Sequence, residues 1–336
     1  PDANRDPKGL AGPLLPGYHG KGAYSGQGRV VYANNGEASA EARKRPDIPS
    51  GCLAQWDGKD WNVVRRNQFT EVTGPGGLFG NEDPETDPIW SIGWDHRSLM
   101  LMVLDGGRWH LYRLPKASHT YDGAHGWNTE WPRIRDIGED DLLMTMHGTF
   151  WRFPKTFAAA QAAGIRPRST YLKVIGDFCR WHDRLVFGCD DAAKSEFLNT
   201  RQAKGVLQPP GQSQSNLWFA DPKLLDQLGP ALGRGAVWMQ EAIQAGVWSD
   251  PYLFAGYERR GVHLSHSAAA AVTFEFEADA DGRGDWTPLR SVTLPANGCA
   301  WIGFPPADRG EWIRVRADRD CDRASAVFQY SNPDPR

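Results

Sequence analysis

Residues 98–115 read SLMLMVLDGGRWHLYRLP: an unbroken apolar run, an Asp-Gly-Gly break, then a second apolar-rich run. Asp-Gly supplies the positive-φ positions of a tight hairpin turn, so the stretch predicts two antiparallel strands. The turn DGGRW at Asp105 has a near-repeat, DGKDW, at Asp57, and RLPK at 113–116 is echoed by RFPK at 152–155. Runs of the same texture recur in RVVYANNGE, DLLMTMHGTFWRFP, DRLVFGCDD and SNLWFADP, with further hairpin tips expected near His147 and Asp183. The intervals, about 35 to 50 residues, are close to the blade period of a β-propeller. The reading is therefore an all-β chain with propeller blades over residues 1–248.

Helical patterning is weak. KTFAAAQAAG (155–164) and PKLLDQLG (222–229) are the short helix candidates, and no helix longer than about four turns is expected. From Ser249 the texture changes. AVTFEFEAD, LRSVTLPA, EWIRVRAD and ASAVFQYS alternate apolar and polar residues with period two. Residues 249–336 thus predict a C-terminal antiparallel β unit with one wet face, read as a small sandwich packed on the propeller in preference to a last blade.

Composition narrows the function. A net charge of -3 with no basic run argues against nucleic acid or a membrane surface as partner. Fifteen Trp, with 37 Gly and 24 Pro, fit many turns and short strands. The chain begins at Pro1, the pattern of a processed product, so the expected location is extracytoplasmic after loss of a leader. Five cysteines, odd in number and scattered, argue against a disulfide-built scaffold and leave room for one bridge.

Three clusters can carry chemistry. The first is GYHGKGAYSGQGR near the N-terminus, followed by ANNGE. Its glycines open the backbone to a ligand. His19 and Tyr24 are the acid–base candidates, His19 first among them, because an imidazole exchanges protons near neutral pH. Lys21 and Arg29 would favour its neutral ring, and Asn34 and Asn35 offer paired amides. The bland alternative is a loop whose side chains satisfy the backbone. The second cluster is GWDHRS, with Trp94, Asp95, His96 and Arg97 between two strands, or else a turn with a surface ion pair.

The third is SHTYDGAHGWNTEWPRIRDIG (118–138). Asp122, His125, Trp127, Asn128, Glu130, Trp131 and Arg133 gather there, with Arg133 and Arg135 on one face of a possible period-two strand. Aromatic faces stack on sugar rings, and the planar fork of Arg matches a uronate carboxylate. The alternative is that the tryptophans pack between blades and the arginines are solvated. His147, Trp151 and Arg152 in MTMHGTFWRF add a further tip, and propeller loops converge at one end of a channel.

Metal signals are weak. Cys179, His182 and Cys189 match no standard zinc spacing, and a two-residue turn at His182-Asp183 puts the cysteines on opposite faces. DADGRGDW carries Asp279, Asp281 and Asp285 in a calcium-like spacing. Arg283 stands where Asp or Asn is usual, so a hairpin turn is the better reading and no cofactor is expected. There is no GxSxG, Walker loop or dinucleotide fingerprint.

HGKGAYSGQGR followed by YANNGE, with the blade texture and the convergent His, Arg and Trp, resembles bacterial β-propeller enzymes of polysaccharide breakdown. The gum-arabic α-L-rhamnosidases and the rhamnose–glucuronate and ulvan lyases are the types in question, over roughly the first two thirds of the chain. The resemblance implies catalysis by histidine, with tyrosine in the ulvan lyases; His19 and Tyr24 are the matching candidates. The expected function is cleavage of a glycosidic bond in an acidic plant or microbial glycan. Hydrolysis would draw its acid from Asp95, Asp122, Glu130 or a histidine. Elimination would use Arg97, Arg133 or Asn34 to neutralise a uronate, with a His or Tyr base such as His19, His96 or His125. A sugar-binding propeller without chemistry is the third reading.

Overall fold

A computed structural model describes residues 15–17, 19–36, 41, 45, 47–117, 132–171, 173–190 and 215–334. Within them the chain is β throughout, with no α-helix and two short 3-10 segments, at Gly77–Phe79 and Pro222–Asp226.

Four up-and-down meanders follow one another. The first is β1 (His19–Gly26), β2 (Arg29–Asn35), β3 (Cys52–Trp56) and β4 (Trp61–Arg66). The second is β5 (Gln68–Thr73), β6 (Ile89–Trp94), β7 (Leu99–Asp105) and β8 (Arg108–Leu114). The third is β9 (Arg133–Arg135), β10 (Leu142–Met146), β11 (Thr149–Phe153) and β12 (Arg166–Thr170). The fourth has three strands, β13 (Val174–Trp181), β14 (Arg184–Asp190) and β15 (Ser215–Ala220).

The expected hairpin at Asp105 is present. Asp105 pairs with Arg108, and Gly106 and Gly107 take φ of 54° and 76°, as a two-residue turn of the primed kind requires. The turn at Asp57 is a looser loop, in which Asp57 Oδ1 accepts from the amides of Lys59 and Asp60. His147-Gly148 makes a second tight turn, with φ of 45° and 79°.

The sheets stack face to face. Met100, Met102 and Leu104 of β7, with Phe69 of β5, pack toward Val31 and Leu53 of the first meander. Leu99, Leu101 and Val103 of the same strand pack the opposite way, against Met144, Trp151 and Phe153 of the third. Leu143 and Phe150 then meet Phe178 and Phe187 of the fourth. The second and third sheets are covered on both faces, which is why Leu99–Leu104 is an unbroken apolar run rather than an alternating one. At one edge of the stack the first strands adjoin: β1 packs on β5, β5 on β9 and β9 on β13. The line along which these first strands adjoin is called the axis. Among the described residues no sheet closes on itself, and β13 and β1 share no packing of that extent.

The remaining strands are β16 (Leu232–Ile243), β17 (Tyr252–Leu253), β18 (Arg259–His266), β19 (Val272–Asp279), β20 (Trp286–Leu294), β21 (Cys299–Phe304), β22 (Trp312–Ala317) and β23 (Cys321–Ser331). They form the sheet β16-β23-β18-β21 and the half β20-β19-β22-β17 of an eight-stranded sheet that continues through β8-β7-β6-β5 of the second meander. Val262, Leu264 and Phe328 of one share a core with Phe274, Phe276 and Val315 of the other, so the C-terminal unit is a sandwich. Its pairing reaches back to Leu232, ahead of the boundary expected at Ser249, because β16 lies along β23. Tyr252 pairs in parallel with Arg113, which joins β17 to β8 and seats the sandwich on the second meander.

Neither helix candidate forms an α-helix. Residues 155–164 fold into turns around an Ala158–Gln161 bridge. Phe157 is fully buried there and its carbonyl accepts from Trp90 Nε1 at 2.9 Å, so tertiary anchoring overrides the alanine-rich propensity. At Pro222–Asp226 a 3-10 turn is capped by the Asp221 carboxylate.

Candidate active site

The axis is polar where the first strands meet. Glu71 on β5 faces Arg133 and Arg135 on β9. Glu71 Oε2 accepts from Arg133 Nη1 at 3.1 Å, and Oε1 from Arg135 Nη1 at 2.5 Å. Arg135 Nη2 donates to Asp177 Oδ2 on β13 at 3.1 Å, and Arg133 Nε lies 3.4 Å from the same oxygen. One guanidinium therefore bridges two carboxylates from different sheets. Lys21 on β1 stands close enough to Arg133 to be influenced by its charge.

Local backbone irregularity places these groups. β1, β5 and β13 each carry a β-bulge, at Gly20/Gly22, Phe69/Glu71 and Ile175/Asp177. Lys21 is the extra residue of the first bulge, while Glu71 and Asp177 directly follow the second and third. A bulge re-aims a side chain out of the regular pleat, and three of them occur on strands that share the axis.

The environments of the two carboxylates differ. Glu71 is buried, and Asp177 is 53% exposed at its side chain. Burial raises the Glu71 carboxyl above its ordinary pKa, outweighing the opposing pull of Arg135 and Arg133. Burial, then the Arg133 charge, brings the Lys21 ammonium down to about 8. Partial burial and the Lys21 charge also lower His19, which favours its neutral ring. Arg29 plays no part in that, since it bonds Gln55 and the Gly107 carbonyl. A cavity of about 410 Å³ adjoins the network and is lined by loop 74–79, Arg135, Asp136, Phe178 and Cys179. That volume is in the range of small-ligand sites.

The other expected site residues fall elsewhere. Tyr24 is on β1, but its hydroxyl donates to Asn81 Oδ1 at 2.9 Å, and burial pushes it up to about 12. Five residues of strand separate it from His19, about 16 Å, so the structure does not bring the pair together. Asn34 is spent on Cys52, accepting from its amide at 2.8 Å. Asn35 pairs across from His19 and is fully buried, with both side-chain amide atoms lacking a partner among the described residues.

Asp95, His96 and Arg97 bind the second meander to the sandwich. Arg97 bonds Asp95 and, at 2.8 Å, Glu241 on β16, while His96 lies 3.8 Å from Glu241. Trp94 and Trp151 are core residues at 1% and 0% exposure, and His147, fully buried, lies 5.1 Å from the Trp94 ring. Arg152 pairs with Asp226 away from the axis. Asp122, His125, Trp127, Asn128, Glu130 and Trp131 lie outside the described residues.

The calcium-like turn is closed by its own backbone, with Asp279 accepting from the amides of Gly282 and Gly284. Asp281 pairs with Arg283. Cys179 is exposed and Cys189 buried, on opposite faces as the two-residue turn requires. Among the described residues no cluster of three metal-ligating side chains exists, and no helix is long and apolar enough to cross a membrane.

Sequence reading missed Glu71 and Asp177. The available signal was each acid's place within a short, otherwise uncharged strand-like run, QFTEVT and VIGDF, while Arg133 and Arg135 lacked an assigned carboxylate partner.

In comparison by sequence, no family model matches the chain and no curated protein matches it. Among solved structures, it is similar to a glycoside hydrolase family 43 arabinoxylan arabinofuranohydrolase from Bacillus subtilis. The identity there is 7%, over 96% of this chain and 97% of that one, with a TM-score of 0.29. A family 32 β-fructofuranosidase of Bombyx mori aligns at 8% identity over 95% and 80%, with a TM-score of 0.27. The VP2 subviral particle of infectious bursal disease virus aligns at 8% identity over 96% and 73%, with a TM-score of 0.23. Scores this low, shared by hydrolases and a viral particle, carry no argument about activity.

Proposed function

We propose that the four meanders are blades of a propeller-type array and that the chain hydrolyses a glycosidic bond in an acidic oligo- or polysaccharide at the axial cluster. The observation that carries this reading is the Arg135 bridge between Glu71 and Asp177, two carboxylates in unlike environments held by one guanidinium that itself lines a ligand-sized cavity. Glycoside hydrolysis needs two carboxyl groups, one acting as acid and the other as base or nucleophile. Glu71, raised by burial, takes the role of general acid toward the leaving oxygen. Asp177, open to solvent, takes that of base or nucleophile. Lys21 and the two arginines favour an anionic sugar, and His19 lines the approach on β1. The fit to the rhamnosidase and lyase type, with secretion, belongs to the same proposal.

One observation favours elimination as the second reading. Lys21, at about 8, is the sort of amine that can remove a proton next to a uronate neutralised by arginine. Glu71→Gln and Asp177→Asn, assayed on a panel of acidic glycans by reducing-end release and by ultraviolet absorbance, test both. Loss of reducing-end release in both variants is expected. An unsaturated, ultraviolet-absorbing product would select elimination. Saturable sugar binding without turnover in the unaltered chain would leave a binding protein.

A further inference from the structure

The sandwich carries a second groove, none of whose lining residues belongs to the axial cluster. It has a volume of about 750 Å³ and is lined by Lys116, Leu232, Arg234, Arg259, Trp301 and Gln329, among others. We propose that this groove binds an anionic oligosaccharide, with Trp301 as its stacking platform and Arg234 and Arg259 as its carboxylate-binding groups.

The platform is built by a glycine. Trp301 on β21 is 53% exposed, an unusual state for so large an apolar ring. A Cβ on Gly261 of β18 would stand 2.2 Å from the indole, so only glycine lets the ring lie against the neighbouring strand. The indole is thus held against the sheet with a face presented outward, the geometry that stacking on the apolar face of a pyranose needs.

The register sets the polar groups beside it. Gly261 pairs with Gln329 and Gln329 with Arg234, so this row crosses the sheet from the platform to β16. In the adjoining row, Arg259 and Leu232 both pair with Ser331. From β21 to β16 is three strand spacings, about 14 Å, the reach of a short oligosaccharide.

Charge completes the match. The side chains of Arg234 and Arg259 are exposed and make no hydrogen bond or ion pair among the described residues. On the other sheet of the sandwich, by contrast, Arg314 and Arg316 are paired with Glu277 and Glu275. The rest of the wall is fixed. Lys116 donates to the Asp95 carbonyl and Arg260 to those of Phe254 and Asp308. Glu258 is the acidic residue of the lining, against four cations. Two uncommitted guanidinium forks in such a field suit the carboxylates of a uronate chain.

This site stands independently of the axial proposal. The test uses the full chain carrying Glu71→Gln, so that the probe is not consumed, with an oligogalacturonate titrated by calorimetry. Saturable binding is expected. Trp301→Ala should weaken it roughly tenfold or more while the melting temperature stays near that of the parent. Arg234→Ala and Arg259→Ala should each weaken it and reduce its dependence on salt. A neutral cello-oligosaccharide should bind less tightly. The proposal is overturned if the oligogalacturonate does not bind, if Trp301→Ala binds as the parent does, or if a single-stranded oligonucleotide binds as tightly. Binding that survives Trp301→Ala would place the sugar at another site, leaving the axial reading untouched.

Discussion

Arg113 Nη1 lies 2.9 Å from Asp95 Oδ2, and the two side chains are 0% and 3% exposed. The pair sits where the second meander meets the sandwich, because Arg113 also donates to Asp250 at 2.7 Å. Burial alone would raise the Asp95 carboxyl; Arg113, Arg97, Lys116 and the Ser98 amide outweigh it and hold the group well below the usual carboxylate range. Removing one partner strands the other in a low-dielectric interior. Asp95→Ala should therefore cost about 3–5 kcal/mol in chemical denaturation. A loss under 1 kcal/mol would show that the network is not a clamp.

Stability should fall on mild acidification. His147 is fully buried, and desolvation holds its pKa well below 6.5. The unfolded chain takes up a proton below about 6.5 that the folded chain refuses, so stability is complete above that pH and declines below it, by up to about 1.4 kcal/mol per pH unit. His147→Asn keeps a residue tolerant of the positive φ and removes the titration. Its melting temperature should change less between pH 7 and pH 5 than that of the parent. Equal slopes would refute the assignment.

Lys21 should set an alkaline limb. Its ammonium titrates at about 8, so the charged form that attracts an anionic substrate is lost as pH rises through that value. The Michaelis constant for an acidic glycan should then increase above pH 8. Lys21→Arg should move the limb upward, since a guanidinium stays charged. A Michaelis constant that is flat to pH 10 would argue against the role.

The tryptophans divide by burial. Trp151→Ala should destabilise the chain by about 3–5 kcal/mol, as the loss of a fully buried indole does, whatever it does to sugar binding. Denaturation of this variant beside Trp301→Ala gives the comparison, and equal losses would contradict the burial pattern.

Cysteine reactivity follows the faces of the strands. Cys179 and Cys299 are exposed, whereas Cys52, Cys189 and Cys321 are buried. Mass spectrometry after brief alkylation of the native chain should find label on the first two. Rapid labelling of Cys189 would contradict the register of β13 and β14.

Much of the local structure was legible because its causes are local. Gly106 and Gly107 supply the two positive-φ positions of the turn from adjacent residues, and the period-two segments after Ser249 became paired strands with one buried face. The same parity rule separated Cys179 from Cys189. His19 and Lys21 on β1 and Arg133 on β9 were legible as unusual residues, and their strands both adjoin β5, although the Tyr24 hydroxyl is turned to Asn81.

The tertiary structure decided which strands meet. Glu71 and Asp177 are 106 positions apart in sequence and are brought to one guanidinium only because β5, β9 and β13 are neighbours at the axis. Trp94 and Trp151 look like stacking rings in sequence, but sheets covered on both faces consume them as core. Sequence periodicity fixes the face on which a side chain leaves its strand; whether that face meets water, a sugar or another sheet depends on which sheets pack together, and long-range burial of apolar surface sets that.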